Sequence, residues 1–419
     1  MKKSVIMALL LILGAFGALI FSNIKSNSNT EMISPIGNSF NINTLGTTDE
    51  KKEYTVYGYL PYWTVSEAEN FRLDLLTDVS YFGLEINSKG DIVKTKVNSE
   101  GEETNHSGYW VWKNEPVLNN FIIKSKNLGI RNSISVISHI DSVSTEFLEC
   151  NPCWDIFYTN IKEEMEGRNI KDINLNFEYY ELVPEEIALK FTEFTEFLKK
   201  KMRKDFPGGE IVVTAFADSV INQRITHIPS ISKVADKIFI MAYDFHVTPN
   251  GQAAPVSPLG GAEVHAGYDI RTMIKDYLAF VPPQKLILGV PYYGFNWGED
   301  VKTEDLEDDK EEEEKAEESK DEEREKLVRT SITQTYAQIM EKAENDEIKV
   351  IWDELGQVPY YEYINPSTET TRKVYFENEK SLRIKYRIAK EFNLAGIGIW
   401  ALGYDENRPE LWKAIEEEF

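Results

Sequence analysis

A chain of 419 residues with 42% hydrophobic and 12% aromatic content can build a large core, which excludes disorder throughout. Its formal charge of -24, from 70 acidic against 46 basic residues, excludes nucleic acid as a partner, because phosphate binding needs Lys and Arg gathered on one face. Neutral and cationic ligands remain compatible with such a surface.

At the N-terminus, Met1-Lys2-Lys3 precedes an almost unbroken apolar run over residues 5–21, and a polar Ser/Asn/Thr stretch follows to about Thr48. This pattern reads as an export signal over residues 1–24 and a polar linker over 25–50. The run approaches the roughly 17 to 25 residues that cross a bilayer, so a cleaved signal peptide and an uncleaved membrane anchor through residues 5–21 both stay open. Either way the expected location is extracytoplasmic.

Short apolar segments then alternate with helix-like stretches. The predicted strands are Tyr54–Trp63, Val79–Ile86 (closed by the turn Asn87-Ser88-Lys89-Gly90), Ile134–Ile137, Asp172–Glu178, Ile211–Phe216, Lys237–Asp244, Lys285–Pro291 and Gly396–Trp400. Helical spacing marks 117–128, 154–166, 184–204 and 381–392, the third with Ile187, Leu189, Phe191, Phe194 and Leu198 as its expected core stripe. Eight strands with intervening helices predict an α/β chain, a (β/α)8 TIM barrel, whose usual length of about 250 residues leaves a surplus for insertions. That surplus falls between strands seven and eight. Barrel strands one to seven occupy 51–298, an acidic low-complexity insertion 299–330, a small α+β insertion subdomain 331–378, and the last strand with its helices 379–419. The acidic stretch, centred on Glu311-Glu312-Glu313-Glu314, cannot build a core and reads as a solvated insertion.

Only two cysteines occur, in Cys150-Asn151-Pro152-Cys153. In a reducing compartment this spacing suggests redox chemistry or half of a zinc site. In an exported chain whose five histidines show no paired spacing, a local disulfide is the favoured reading.

Chemistry concentrates on the fourth strand. Because successive strand side chains point to opposite faces, Asp172, Asn174, Asn176 and Glu178 share one face, and Ile173, Leu175 and Phe177 the other. In a buried parallel sheet such a polar row is costly unless it is used. Active sites of these barrels lie at the C-terminal ends of the strands, where Glu178, Tyr243, Asp244 and Trp400 are expected to converge. An acid, a Tyr-Asp pair and an indole suit a sugar site: a proton donor, polar groups for ring substituents and an apolar platform.

Four stretches in order, Tyr57-Gly-Tyr-Leu-Pro-Tyr-Trp63, Met241-Ala-Tyr-Asp-Phe-His246, Leu288-Gly-Val-Pro-Tyr-Tyr-Gly294 and Gly398-Ile-Trp-Ala-Leu-Gly-Tyr404, carry a resemblance. With Gly356-Gln357 and Tyr375-Phe-Glu-Asn378, the chain from Tyr54 to Phe419 resembles glycoside hydrolase family 18, the chitinase family, and within it bacterial members related to spore-cortex and cell-wall hydrolases. The family motif Asp-Gly-x-Asp-x-Asp-x-Glu falls on Lys171 to Glu178. The resemblance implies that Glu178 is the proton donor, with Lys171, Asp172, Asn174 and Asn176 standing where the family has Asp, Gly, Asp and Asp. It implies a substrate of N-acetylglucosamine polymer, no cofactor or metal, and a retaining mechanism in which the substrate's acetamido oxygen is the nucleophile. Tyr243 is then expected at the acetamido group, Asp244 at the sugar of the cleavage subsite and Trp400 beneath it. Asn174, Met241, Tyr59, Trp63 and Tyr293 are further substrate-binding candidates, with core packing the alternative for Tyr59, Trp63 and Tyr293. Since Asn176 keeps a hydrogen-bonding group but no charge, two expectations follow: a slowed hydrolase, or a chitinase-like binding protein without turnover.

Overall fold

The computed structural model describes residues 54–97, 101–246, 253–262, 264, 267–301 and 327–419. The leader, the polar linker and residues 302–326 of the acidic stretch lie outside the described residues. Among the described residues no helix is long and apolar enough to cross a membrane.

Eight parallel strands close into a barrel: β1 (Thr55–Pro61), β2 (Asp78–Glu85), β3 (Arg131–Ser138), β4 (Asp172–Phe177), β5 (Ile211–Phe216), β6 (Lys237–Met241), β7 (Leu286–Pro291) and β8 (Gly396–Trp400). Each strand pairs with its neighbours in sequence, and β1 closes the ring against β8 with Thr55 opposite Gly396 and Gly58 opposite Ile399. This is the (β/α)8 TIM barrel that the alternation of segments predicts. Helices such as Pro116–Asn127, Asn151–Gly167, Glu185–Asp205 and Glu379–Glu391 stand between the strands in sequence.

The two faces of β4 go to opposite sides of the barrel wall. Phe177 meets helix-borne rings, with centroids 5.1 Å from Phe191 and 6.1 Å from Phe147 and Phe194. The polar row points inward, where Asp172 and Asn174 find partners on neighbouring strands. Asp172 is paired with Arg131 on β3 and also accepts from the Glu210 amide at 2.8 Å. Asn174 accepts from the Ser135 hydroxyl at 2.6 Å and donates to the Thr214 hydroxyl at 3.0 Å. Thr214 in turn meets the Tyr59 hydroxyl at 2.8 Å, so hydrogen bonds tie β1, β3, β4 and β5 across the interior. Phe239 fills the space beside them, and a Cβ at Gly398 would come within 2.1 Å of its ring, so β8 needs a glycine there.

Several expected boundaries shift for identifiable reasons. β6 ends at Met241 rather than Asp244: the Ala242 amide turns back to the Ile240 carbonyl at 2.8 Å, and Asp244 then takes a left-handed φ of 57°. The helix Glu185–Asp205 buries Ala188, Thr195 and Met202 with Ile187, Phe191, Phe194 and Leu198, whereas Leu189 is 38% exposed. Leu189 sits two residues from both Ile187 and Phe191, a strand spacing that turns it off the 3.6-residue stripe.

The insertion between β7 and β8 is larger than residues 331–378. A five-stranded antiparallel sheet runs in the order Leu327–Thr335, Tyr293–Val301, Thr371–Tyr375, Val358–Ile364, Ile351–Asp353, with the helix Tyr336–Asn345 between strands. Its first strand begins at Tyr293, and the register runs from Tyr293 opposite Thr335 to Val301 opposite Leu327. Residues 302–326 therefore connect the two arms of a hairpin.

Candidate active site

Strand ends bring the site together. A cleft of ≈ 1000 Å³ at the mouth of the barrel is lined by Glu178, Asn176, Tyr243, Asp244, Met241, Tyr59, Trp63 and Trp400. Glu178 follows β4 directly, its amide bonded to the Ser138 carbonyl at 3.0 Å, so the strand ladder continues one step and then releases the side chain into the cleft. Its Oε1 accepts from Asn176 Nδ2 at 2.9 Å and its Oε2 from the Tyr180 hydroxyl at 2.7 Å. The loop carrying Tyr180 is fixed by Asp141, whose two oxygens accept from the amides of Tyr180 and Glu181 at 3.1 and 2.9 Å. Burial and the nearby Glu178 carboxylate push the Tyr180 phenol up, so it stays a donor.

Asn176 is 3% exposed, and its Nδ2 also lies 2.9 Å from Nε2 of His139, the residue after β3. Its Oδ1 is buried with no hydrogen-bond partner among the described residues. His139 Nε2 is 3.4 Å from Glu178 Oε1, which gives Glu178 a polar neighbour from the adjacent strand as well as from its own.

Across the cleft, Asp244 accepts a hydrogen bond from the Tyr293 hydroxyl. Asp244 keeps access to solvent through the cleft, yet protein crowds its carboxylate closely enough that desolvation, helped by the charge of Glu178 and opposed by the Tyr293 hydroxyl, raises its pKa to about 6. Burial also drives the Tyr243 phenol well above its ordinary value, which leaves a neutral hydroxyl in the cleft wall. Trp400 forms an apolar surface, set edge-on to Phe82 at 4.7 Å and to Tyr59 at 5.4 Å. Trp63, 46% exposed, extends it and donates its indole N–H to the Tyr404 hydroxyl at 3.3 Å.

Two expected lining residues lie a layer deeper. Asn174 is fully buried with its amide engaged by Ser135, Thr214 and the Val212 carbonyl, so it supports the wall from within. Tyr293, 5% exposed, belongs to the first strand of the insertion sheet and reaches the site through Asp244. Cys150 and Cys153 form a disulfide at the start of the helix Asn151–Gly167 and do not line the cleft.

Other cleft residues escape the sequence reading. His139 and Tyr180 stand beside Glu178, and extending the strand-end rule to β3 and the period-2 face one step past Glu178 would have found both. Farther out, Arg224 holds Asp218 through two bonds of 3.0 and 2.7 Å, and Glu85 meets His106 at 2.9 Å and Lys96 at 3.4 Å. Glu85 ends β2, where the strand-end rule would have found it, whereas Asp218, Arg224 and His106 come from connecting segments whose spacing marks nothing.

The family model for glycosyl hydrolases family 18 matches residues 55–405. The cortical fragment-lytic enzyme of Bacillus anthracis is 24% identical over 268 residues, which are 63% of this chain and 53% of the relative, so the chain spans about half of that protein's length. Among solved structures, the Bacillus megaterium spore cortex-lytic enzyme SleL superposes with a TM-score of 0.65 at 18% identity, covering 89% of this chain and 75% of that one. The family 18 chitinase of Cycas revoluta in complex with (GlcNAc)3 gives 0.64 at 18%, covering 87% and 99%. Both likenesses are of fold. With a family model that runs from the first barrel strand to just past the last, the chain belongs to the glycosyl hydrolases of family 18.

Proposed function

We propose that this chain is an exported glycosidase that cleaves β-1,4-linked N-acetylglucosamine polymer, chitin or peptidoglycan, with retention and substrate assistance. The observation that carries the reading is the Glu178 carboxyl in a large cleft, oriented by Asn176 and Tyr180 and faced by Tyr243, Asp244 and Trp400. In the first step Glu178 passes its proton to the glycosidic oxygen as the C1–O bond breaks and its electron pair stays on that oxygen. The acetamido carbonyl oxygen of the same sugar closes onto C1, leaving a cationic ring. Water then attacks C1 and gives its proton to Glu178, which restores the acid, while the C1–O bond to the acetamido oxygen breaks and its electron pair returns to the acetamide.

Asn176 sets the rate. Where a carboxylate would stabilise the cationic ring, an amide offers only dipoles, a loss of about 3 to 4 kcal/mol or roughly 100- to 1000-fold if it equals one preorganised electrostatic contact. The same residue favours a second reading, a carbohydrate-binding protein without turnover. Wild type, Glu178→Gln and Asn176→Asp on chitooligosaccharides and purified peptidoglycan separate the two. Measurable wild-type hydrolysis that Glu178→Gln abolishes supports the enzyme. Sugar binding with equal inactivity in all three leaves the binding protein.

A further inference from the structure

The interatomic contacts around Asn176 pose a problem of hydrogen positions. Nδ2 faces two atoms, Glu178 Oε1 and His139 Nε2, each at 2.9 Å, while Oδ1 has no hydrogen-bond partner among the described residues. Amide nitrogen carries two hydrogens and no usable lone pair, so both neighbours must accept. Glu178 accepts as a carboxylate. His139 accepts only with a bare Nε2, which places its own hydrogen on Nδ1. Turning the amide over would set Oδ1 against both neighbours, an arrangement that holds only when each carries a hydrogen: Glu178 as the acid and His139 as the Nε2–H form. The network therefore has two self-consistent states, and the state of Glu178 selects between them.

From this geometry we infer that His139 is a positioning residue: it fixes the orientation of the Asn176 amide so that Asn176 follows the proton of Glu178. The inference rests on the hydrolase reading for its consequence in turnover. With Glu178 protonated, Asn176 Oδ1 receives the acid hydrogen and the Nε2–H of His139. When that hydrogen turns from Oδ1 to the glycosidic oxygen and is transferred, the amide turns and Nδ2 donates to the new carboxylate. His139 ends in the Nδ1–H form by exchange with solvent, to which its side chain is 31% exposed. A carboxylate at position 176 would need no such help, since either oxygen accepts. The strand-end position suits this role, since His139 follows β3 immediately and its ring lies 6.1 Å from that of Phe82, which limits its swing.

Two measurements test this on the full chain. Nitrogen-15 spectra of the histidine rings, with the His139 signals assigned by their loss in His139→Gln, are expected at a pH where Glu178 is ionised and histidine is neutral to show a bare Nε2 in wild type and an Nε2–H in Asn176→Asp. An Nε2–H in wild type under those conditions overturns the proposal, and this arm needs no turnover, so it stands even if the hydrolase reading fails. In chitooligosaccharide hydrolysis, His139→Phe, which keeps a ring against Phe82, is expected to lower kcat about tenfold with little change in KM, the equivalent of one hydrogen bond lost in the transition state. His139→Gln, whose amide can accept or donate, is expected to recover most of the loss. In the Asn176→Asp background the His139→Phe effect should shrink to within about twofold. An equal loss in both backgrounds, or none in wild type, refutes the role.

Discussion

Asn176→Asp is the perturbation on which the catalytic argument turns. In this structure the side-chain ends of residues 176 and 178 are 2.9 Å apart. Two full negative charges at that distance would repel by about 6 kcal/mol at an effective dielectric of about 20, so the pair in the variant holds one proton between its two carboxyl groups. As that shared proton passes to the glycosidic oxygen both carboxyl groups become charged, and the cationic ring forming against position 176 offsets the repulsion between them. Gaining about 3 to 4 kcal/mol of transition-state stabilisation corresponds to a 100- to 1000-fold rise in kcat. The assay is hydrolysis of a defined chitooligosaccharide followed by chromatography, with a thermal melt of each variant to show that the fold is kept. Glu178→Gln combined with Asn176→Asp should abolish the gain. A folded Asn176→Asp that binds the sugar as well as wild type and turns it over no faster would refute the reasoning.

Other parts of the structure make separate predictions. Ionised Asp244 accepts from a sugar hydroxyl more strongly than its acid form, so oligosaccharide affinity should rise about fivefold as pH increases through about 6, and Asp244→Asn should flatten that rise in calorimetry. The same group affects folding with the opposite sign. Because its pKa is raised from 3.8 in the unfolded chain to about 6, its contribution is most favourable at low pH and is lost as pH climbs through 6, so Asp244→Asn should weaken the fall in Tm over that window. Trp400→Ala removes the apolar surface beneath the expected sugar and should weaken oligosaccharide binding about tenfold, read by calorimetry with Glu178→Gln present in both proteins. Lys385 and Glu377 form a fully buried pair at 2.7 and 2.8 Å. Lys385→Met should cost about 3 to 5 kcal/mol in denaturant unfolding by stranding the Glu377 carboxylate, and adding Glu377→Gln should recover much of it.

The barrel was legible because period-2 strands and 3.6-period helices alternate from Tyr54 onward, and the site because strand ends in this architecture share one mouth. Glu178, Tyr243, Asp244 and Trp400 met that rule and do meet in the cleft. The rule failed in depth. Asn174 shares the face of Glu178 but sits too far down β4 to reach solvent, and period alone carries no depth. Tyr293 failed differently: its motif reads as the end of β7, whereas the chain has already passed into the insertion sheet, from which its hydroxyl returns to Asp244. His139 was missed because the sequence placed the end of the third strand at Ile137, which left the residue that looks across at Asn176 among loop positions.

The hydrogen bonds that cross the barrel interior carry a consequence for how the strands find one another. Aliphatic side chains in a barrel tolerate sliding, since one methyl group substitutes for another. Ser135, Asn174, Thr214 and Tyr59 do not, because each has its partner at a single height. Sliding β4 by two residues would keep the polar face inward and so pass the hydrophobic criterion. It would also lift Asp172 away from Arg131, part Asn174 from Ser135 and Thr214, and carry Glu178 either down into the wall or out past its partners. The polar row thus works as a vernier, admitting one alignment among several of equal greasiness, and the alignment it admits is the one that leaves a carboxyl at the mouth.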